Sequence, residues 1–236
     1  MLIDEEGNFL SQRRVPRMAL LQTTVANDVL NIFHKSSSEL QINIPLDDNL
    51  FSGNNLINTY MWDETINVVE CGSNYDEWFS EVLQTKCKFV YMPDKSNRLV
   101  DDKFAHNNEI TSLSDGYPFL IIGEESLNLL NSKLDEPLPM NRFRPNLVFA
   151  GGIPHDEDNF GKFTINFVRF SAVKPCARCT ITTVDQESGI AGKEPLKTLA
   201  AYRTVNNKVM FGQNLLHSGS GNINVGDKII LHDQKF

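Results

Sequence analysis

Residues 174–185 read KPCARCTITTVD and hold two of the chain's four cysteines, Cys176 and Cys179, with Arg178 between them. Two sulfurs at this spacing admit four chemistries. A structural zinc site needs four ligands, usually as two close pairs. Only one close pair is present: Cys71 and Cys87 flank an expected helix, and no histidine pair stands at ligand spacing. A redox dithiol needs its first cysteine at a helix N-terminus in an α/β setting. Here the β-branched run Thr180–Val184 follows, which favours a strand. Two buried structural thiols are the plain alternative, because free cysteine packs as a small apolar side chain. The fourth chemistry is a single reactive thiolate. Arg178 beside Cys179 would favour the ionised sulfur, and thiolate is a ligand for a soft metal. The local residues leave these readings open.

The elements that must position this stretch read mostly as strands. Residues 1–3 and 9–12 look like two short strands around the turn DEEGN. Pro16 breaks the pattern, and strands are expected at 18–25, 29–33 and 40–44, with turn-rich residues at 45–49 and 52–55. Strand-like residues continue to Gly72. Residues 74–84 read as a helix, with Asn74 as cap, Glu77 in the capping-box position, and Phe79, Val82 and Leu83 on one face. A strand follows at 87–92, then a polar run at 101–115; the boundary between two regions falls near 93–110, giving domains 1–95 and 96–236.

Residues 117–123 read as a buried strand and 124–134 as a short helix with a Leu127, Leu130 and Leu134 stripe. From Asn146 on, NLVFAGG, FTINFVRFSAV, TITTV, KVMFG, QNLLH and DKIIL read as strands. One helix, EPLKTLAAYR, interrupts them with Pro195 at its first position. The fold class is mainly β, with a few short helices and a barrel or sandwich in the C-terminal part.

At 236 residues the chain can bury a substantial core. A net charge of −8 argues against generic nucleic-acid binding, yet leaves room for a local basic pocket. No apolar stretch approaches the roughly 20 residues of a membrane span, and the acidic N-terminus lacks a signal-peptide core. A cytoplasmic, reducing location is the default expectation, with the cysteines as thiols.

RFRPN at 142–146 followed by PCARCTITTVD resembles the MOSC family, named for the molybdenum-cofactor sulfurase C-terminal domain. GKEPLKTLAAYR, FGQNLL and INVGDKIIL continue the likeness in order, and MLIDEEGNFLSQRRVPRMALL is similar to the opening of the family's N-terminal β-rich module. Within the family the resemblance is to the amidoxime-reducing molybdenum enzymes. It implies a MOSC β-barrel plus a smaller N-terminal β-rich module, and a molybdenum cofactor, a molybdopterin whose dithiolene binds the metal. The position matching the protein's own sulfur ligand is Cys179, and Cys176 is then structural. Arg144, Ala177 and Arg178 match positions that hold the cofactor, with Asp115, Asn146 and Asn214 in its pocket and Asn146 also bracing the loop. Tyr117 stands where family members often carry a small residue. His155 is a proton-donor candidate or a solvated loop histidine. The family is also described as binding pyridoxal phosphate; no residue is matched to that role.

The implied activity is two-electron reduction of a small N-hydroxylated substrate, an amidoxime or hydroxylamine. The chain has no haem, flavin or iron–sulfur motif. A separate electron-transfer protein, cytochrome b5-like or iron–sulfur, is therefore implied as partner. The alternative is a non-catalytic carrier of sulfur or cofactor on Cys179, and a weaker one a structural β protein. Family members begin further upstream, with a lysine–serine pair and an aspartate–arginine pair that grip the pterin and its phosphate. The first barrel strands are thus expected to be missing here, and Lys35–Ser36 and Lys95–Ser96 stand in other contexts. A truncated sequence, an incomplete barrel with an open edge, and loss of the cofactor are the three readings of that difference.

Overall fold

The computed structural model describes residues 1–47, 50–51, 53–105 and 107–233. The turn-rich stretches at 45–49 and 52–55 lie partly outside the described residues. The fold is mainly β. It divides into two compact units, Met1–Arg98 with Val184–Gly192, and Leu99–Thr183 with Lys193–Phe236.

The first unit holds β1 (Leu2–Ile3), β2 (Leu21–Ala26), β3 (Val29–His34), β4 (Ser37–Pro45), β5 (Leu56–Met61), β6 (Glu64–Glu70), α1 (Ser73–Leu83) and β7 (Lys88–Tyr91). They form a four-stranded sheet, β1-β7-β6-β5, and a three-stranded sheet, β2-β3-β4. Leu2, Leu10, Ile32, Ile44, Phe79 and Leu83 share one core. The strand expected from residue 18 begins only at Leu21, because Pro16–Leu20 forms a short 3-10 helix with proline in its first turn. Residues 9–12 form no strand; Phe9 makes a single bridge to Ile3. The capping box also fails. Gly72, at φ 125°, is the N-cap, and Asp76 Oδ1 accepts a 2.7 Å bond from the Phe89 amide instead. Val184–Gly192 is held in this unit by the paired amides of Gln12 and Gln186 and by Lys35–Glu187. No sequence signal marked this excursion.

The second unit holds β8 (Phe119–Gly123), α2 (Glu124–Asn131), β9 (Leu147–Phe149), β10 (Lys162–Ile165), β11 (Val168–Ala177), α3 (Leu196–Arg203), β12 (Thr204–Val205), β13 (Lys208–Ser218) and β14 (Ile229–Leu231). The sheet runs β14-β10-β11-β13-β8-β9, with β12 on β13. Among the described residues of this sheet, only β8 and β9 pair in parallel. The sheet is curled into a half-barrel rather than a closed barrel: among the described residues β14 and β9 end the path.

Two cores line the faces of this sheet. Successive strand residues point to opposite faces, so Ile121 joins Phe163, Phe170 and Leu215, while Ile122 joins Leu130 of α2, Leu199 of α3, Phe143 and Phe211. Phe211 and Leu215 would share a face of a regular strand, yet they enter different cores. Gly212, at φ +84°, lies between them, and the β11–β13 register slips between Pro175 and Ala177. This is a β-bulge, which re-aims the residues beyond it. It also merges KVMFG and QNLLH, expected as two strands, into one.

Behind the helical face lies a polar cluster. Glu157 is fully buried and accepts a 2.7 Å bond from Ser126 Oγ, which in turn accepts one from the His155 amide. Asp158 pairs with Arg203 at 2.6 Å. The His155 ring packs edge-on to Phe211, and both its nitrogens are buried without a protein partner. Burial lowers the His155 pKa, the Arg203 charge adds to this, and Asp158 opposes both. Burial raises that of Glu157.

Two expectations follow. A Cβ at residue 212 would meet Ile122 Cγ1 at 2.8 Å and the Ile121 carbonyl at 3.0 Å, in a backbone region that side chains avoid. Gly212→Ala should therefore destabilise the protein by about 2–4 kcal/mol; an unchanged denaturation midpoint would refute the bulge assignment. The second concerns acid. His155 titrates below its ordinary 6.5 when folded. Its contribution is present above the unfolded value and lost as pH falls through the folded one. Glu157 has the opposite sign, so the comparison must be with a His155 variant. The melting temperature of the parent should fall more steeply than that of His155→Phe between about pH 7 and pH 5. Parallel curves would show that the imidazole does not titrate on unfolding.

Candidate functional site

The ladder of β11 ends where the cysteines lie. Ala177 is exposed and pairs with Met210, and the Arg178 amide donates to Val209 O at 2.8 Å. Beyond this the chain turns. The Thr182 amide and hydroxyl both donate to Cys179 O, at 3.2 and 3.0 Å, and the Thr183 hydroxyl to Thr180 O at 2.8 Å. The expected strand over 180–184 is thus a one-turn 3-10 helix, Thr180–Thr183. Local hydroxyl-to-carbonyl bonds of this kind compete with β pairing.

The two sulfurs have different surroundings. Cys176 is 8% exposed, whereas Cys179 is only half-buried. Arg178 Nη1 donates to Cys176 Sγ at 3.0 Å, and Nη2 to Phe143 O at 2.6 Å. The guanidinium therefore lies against Cys176 and not, as the sequence suggested, against Cys179. Residues two apart at the end of a strand share a face, which neighbours do not. Burial pushes the Cys176 thiol up, and the Arg178 charge opposes it.

Arg144 stands in the left-handed region, at φ 54° and ψ 47°, directly before Pro145. Its side chain is solvent-accessible and bonds no protein group among the described residues. Partial withdrawal from water lowers its pKa, the Arg178 charge adds to this, and Asp115 opposes. Asp115 and Cys179 also act on Cys176. Arg144 thus lies within electrostatic reach of Arg178 and Asp115, and Cys176 within reach of Arg178, Asp115 and Cys179. Two guanidiniums against one carboxylate make this corner of an acidic chain locally positive, which suits an anion.

Asn146 and Asn214 flank one residue of β8. Asn146 Oδ1 accepts from the Leu120 amide at 2.9 Å and its own amide donates to Leu120 O, while Asn214 pairs with Leu120 from β13. Asn146 therefore braces the loop after Arg144. Asn214 also pairs with Lys174, whose ammonium lies 4.6 Å from the Phe104 ring centre and 5.6 Å from that of Tyr117. Burial, then the Asp101 charge, pushes the Tyr117 hydroxyl up to about 12. His155 senses Arg203 and Asp158 rather than the charges around the cysteines.

Arg142 is the residue that sequence reasoning missed. It is 5% exposed; its Nε donates to Thr182 O at 3.0 Å, and its Nη2 to Thr183 O at 2.9 Å and Glu194 O at 3.3 Å. Two arginines flank Phe143 in the sequence, and only tertiary structure distinguishes the inward one from the outward one.

A family model described as "MOSC domain" matches residues 108–230, and one described as "MOSC N-terminal beta barrel domain" matches residues 1–86. The chain is 32% identical to the mitochondrial amidoxime-reducing component 1 of Mus musculus over 248 residues, covering 99% of this chain and 72% of that protein. For the Homo sapiens protein of the same name the identity is 30%, with the same coverage. The molybdenum cofactor sulfurase of Danio rerio is 28% identical over 98% of this chain, which spans 30% of that longer protein. With both of its regions matched, and with relatives aligned over nearly its whole length, the chain belongs to the MOSC-domain family.

Proposed function

We propose that the chain binds a molybdenum cofactor and reduces N-hydroxylated compounds, amidoximes or hydroxylamines, by two electrons. The observation that supports this reading is the half-buried Cys179 thiol, which acts on Cys176 together with Arg178 and Asp115, the same two groups that act on Arg144. The donor set fits the group. Thiolate sulfur is a soft ligand, and a guanidinium pairs bidentately with a phosphate. The Nε of Arg178 is buried and bonds no protein group, and Arg144 faces solvent.

Cys179 would supply the protein's sulfur to the metal. Arg144 would grip the cofactor's phosphate with its unengaged fork, while Arg178, held by Phe143 O and Cys176, contributes charge from a fixed position. Asp115 limits the repulsion between the two guanidiniums. Ala177 is exposed at the strand end, and Asn146 and Asn214 hold the neighbouring β8 row at Leu120. When bound, the molybdenum supplies the redox chemistry, the removal of the hydroxyl oxygen of the substrate. The overall reaction consumes two electrons and two protons and releases the amine or amidine and water. A separate electron-transfer protein is the proposed donor, since the cofactor, not the protein, carries the redox step.

A second reading is favoured by the likeness to a cofactor sulfurase: a carrier that holds sulfur or cofactor on Cys179 without turnover. Metal analysis separates the two. Stoichiometric molybdenum supports the oxidoreductase, and a Cys179 persulfide without metal supports the carrier. With an artificial reductant, Cys179→Ala should lose amidoxime reduction entirely. Cys176→Ala should keep most of it, at about 1–2 kcal/mol of stability. Full activity in Cys179→Ala would overturn the ligand assignment, and equal loss in both variants would favour a paired-thiol role.

A further inference from the structure

Arg142 does more than fill the core. The Thr180–Thr183 turn ends in carbonyls that no donor of its own helix can reach, as at any helix C-terminus. Arg142 supplies donors to two of them, Thr182 O and Thr183 O, and to Glu194 O beyond. A positive guanidinium at this end also matches the local dipole. Thr182 in turn holds Cys179 O through both its amide and its hydroxyl. Two hydrogen-bonded steps thus lead from the Arg142 guanidinium to the backbone of Cys179. From the opposite side, Arg178 holds Phe143 O, the carbonyl that joins Arg142's neighbour to Arg144.

We propose that Arg142 is the positioning residue for Cys179: it fixes the turn that presents the thiol, and so sets the sulfur's place relative to Arg144 and Arg178. This rests on the reading of Cys179 as the working thiol. A guanidinium spans several carbonyls with one planar fork; a lysine ammonium is a point charge on a flexible stem and reaches fewer of them. Methionine keeps the apolar stem and no donor. The role differs from general support of the core, because its effect falls on Cys179 and spares Cys176, which is anchored in the β11 ladder.

The four cysteines provide the test, because three are buried and one is half-buried. The full chain in its metal-free form, confirmed by metal analysis, is treated with iodoacetamide at fixed pH, and alkylation is followed residue by residue by mass spectrometry. In the parent, Cys179 should react while Cys71, Cys87 and Cys176 stay protected. In Arg142→Met the Cys179 rate should change by about tenfold through local opening of the turn, with the other three still protected. Arg142→Lys should fall between parent and Arg142→Met. A Cys179 rate within about twofold of the parent in Arg142→Met would overturn the proposal. So would Cys176 becoming reactive in step with Cys179, since that marks loss of the whole unit, or a Cys179 as protected as Cys176 in the parent. Alkylation needs no metal. Its outcome is therefore separable from that of the molybdenum analysis, which tests the functional reading itself.

Discussion

Two arginines cross between two stretches of irregular chain, and the candidate site depends on that exchange. Arg142 leaves 140–144 to bond the carbonyls after Cys179, and Arg178 leaves the cysteine stretch to bond the carbonyl before Arg144. Neither stretch has a strand ladder to hold it beyond Ala177. Hydrogen bonds to charged groups contribute about 1.5–3 kcal/mol each when formed in such surroundings. Leaving a buried acceptor without its donor costs about 1–3 kcal/mol. The exchange therefore fixes both stretches together or neither. It also explains how Arg144 can hold a left-handed conformation before a proline, a strain of about 1–3 kcal/mol that persists only where its surroundings over-determine it.

The same arrangement divides labour between the cysteines. Cys176 faces inward at the strand end, accepts a bond from Arg178, and is held by burial in its neutral form. Cys179 lies past the ladder, on a turn, and is accessible. A thiol intended to meet a ligand must stand outside the sheet, and a turn held by side-chain bonds offers that without loss of definition. The guanidinium that touches Cys176 is thus a brace for the loop, while its charge still reaches Arg144.

The strand density, the Leu127–Leu130–Leu134 stripe and the helix after Pro195 were legible in the sequence, because apolar periodicity reports directly on which face is buried. The family motifs drew attention to Cys179, Arg144 and Arg178; of these, Arg144 lies within reach of Arg178 and Asp115. What stayed hidden depends on tertiary context. The β-branched run after Cys179 reads as strand, but its threonine hydroxyls find carbonyls three residues back. Arg178 reads as the partner of its neighbour, but strand alternation hands it to Cys176. The Gly212 bulge and the excursion of Val184–Gly192 leave no periodic signature at all. Arg142 was invisible because composition does not tell a buried arginine from a solvated one.

Phe143 links this polar exchange to the apolar core. It is fully buried, and its ring lies 4.4 Å from that of Phe211, between the arginine that turns inward and the one that turns out. Phe211 can reach it only because the Gly212 bulge turns β13 toward the helical face at that point and back toward the half-barrel interior by Leu215. A glycine in a strand thus determines where a phenylalanine packs, and that packing determines where the carbonyl bonded by Arg178 lies. The helices α2 and α3 close the same core through Leu130 and Leu199. Interiors packed at crystal-like density transmit such constraints with little slack. The thiol itself sits on a turn at the surface, and the arginine bonded to that turn stands next in sequence to the phenylalanine packed in the layer below.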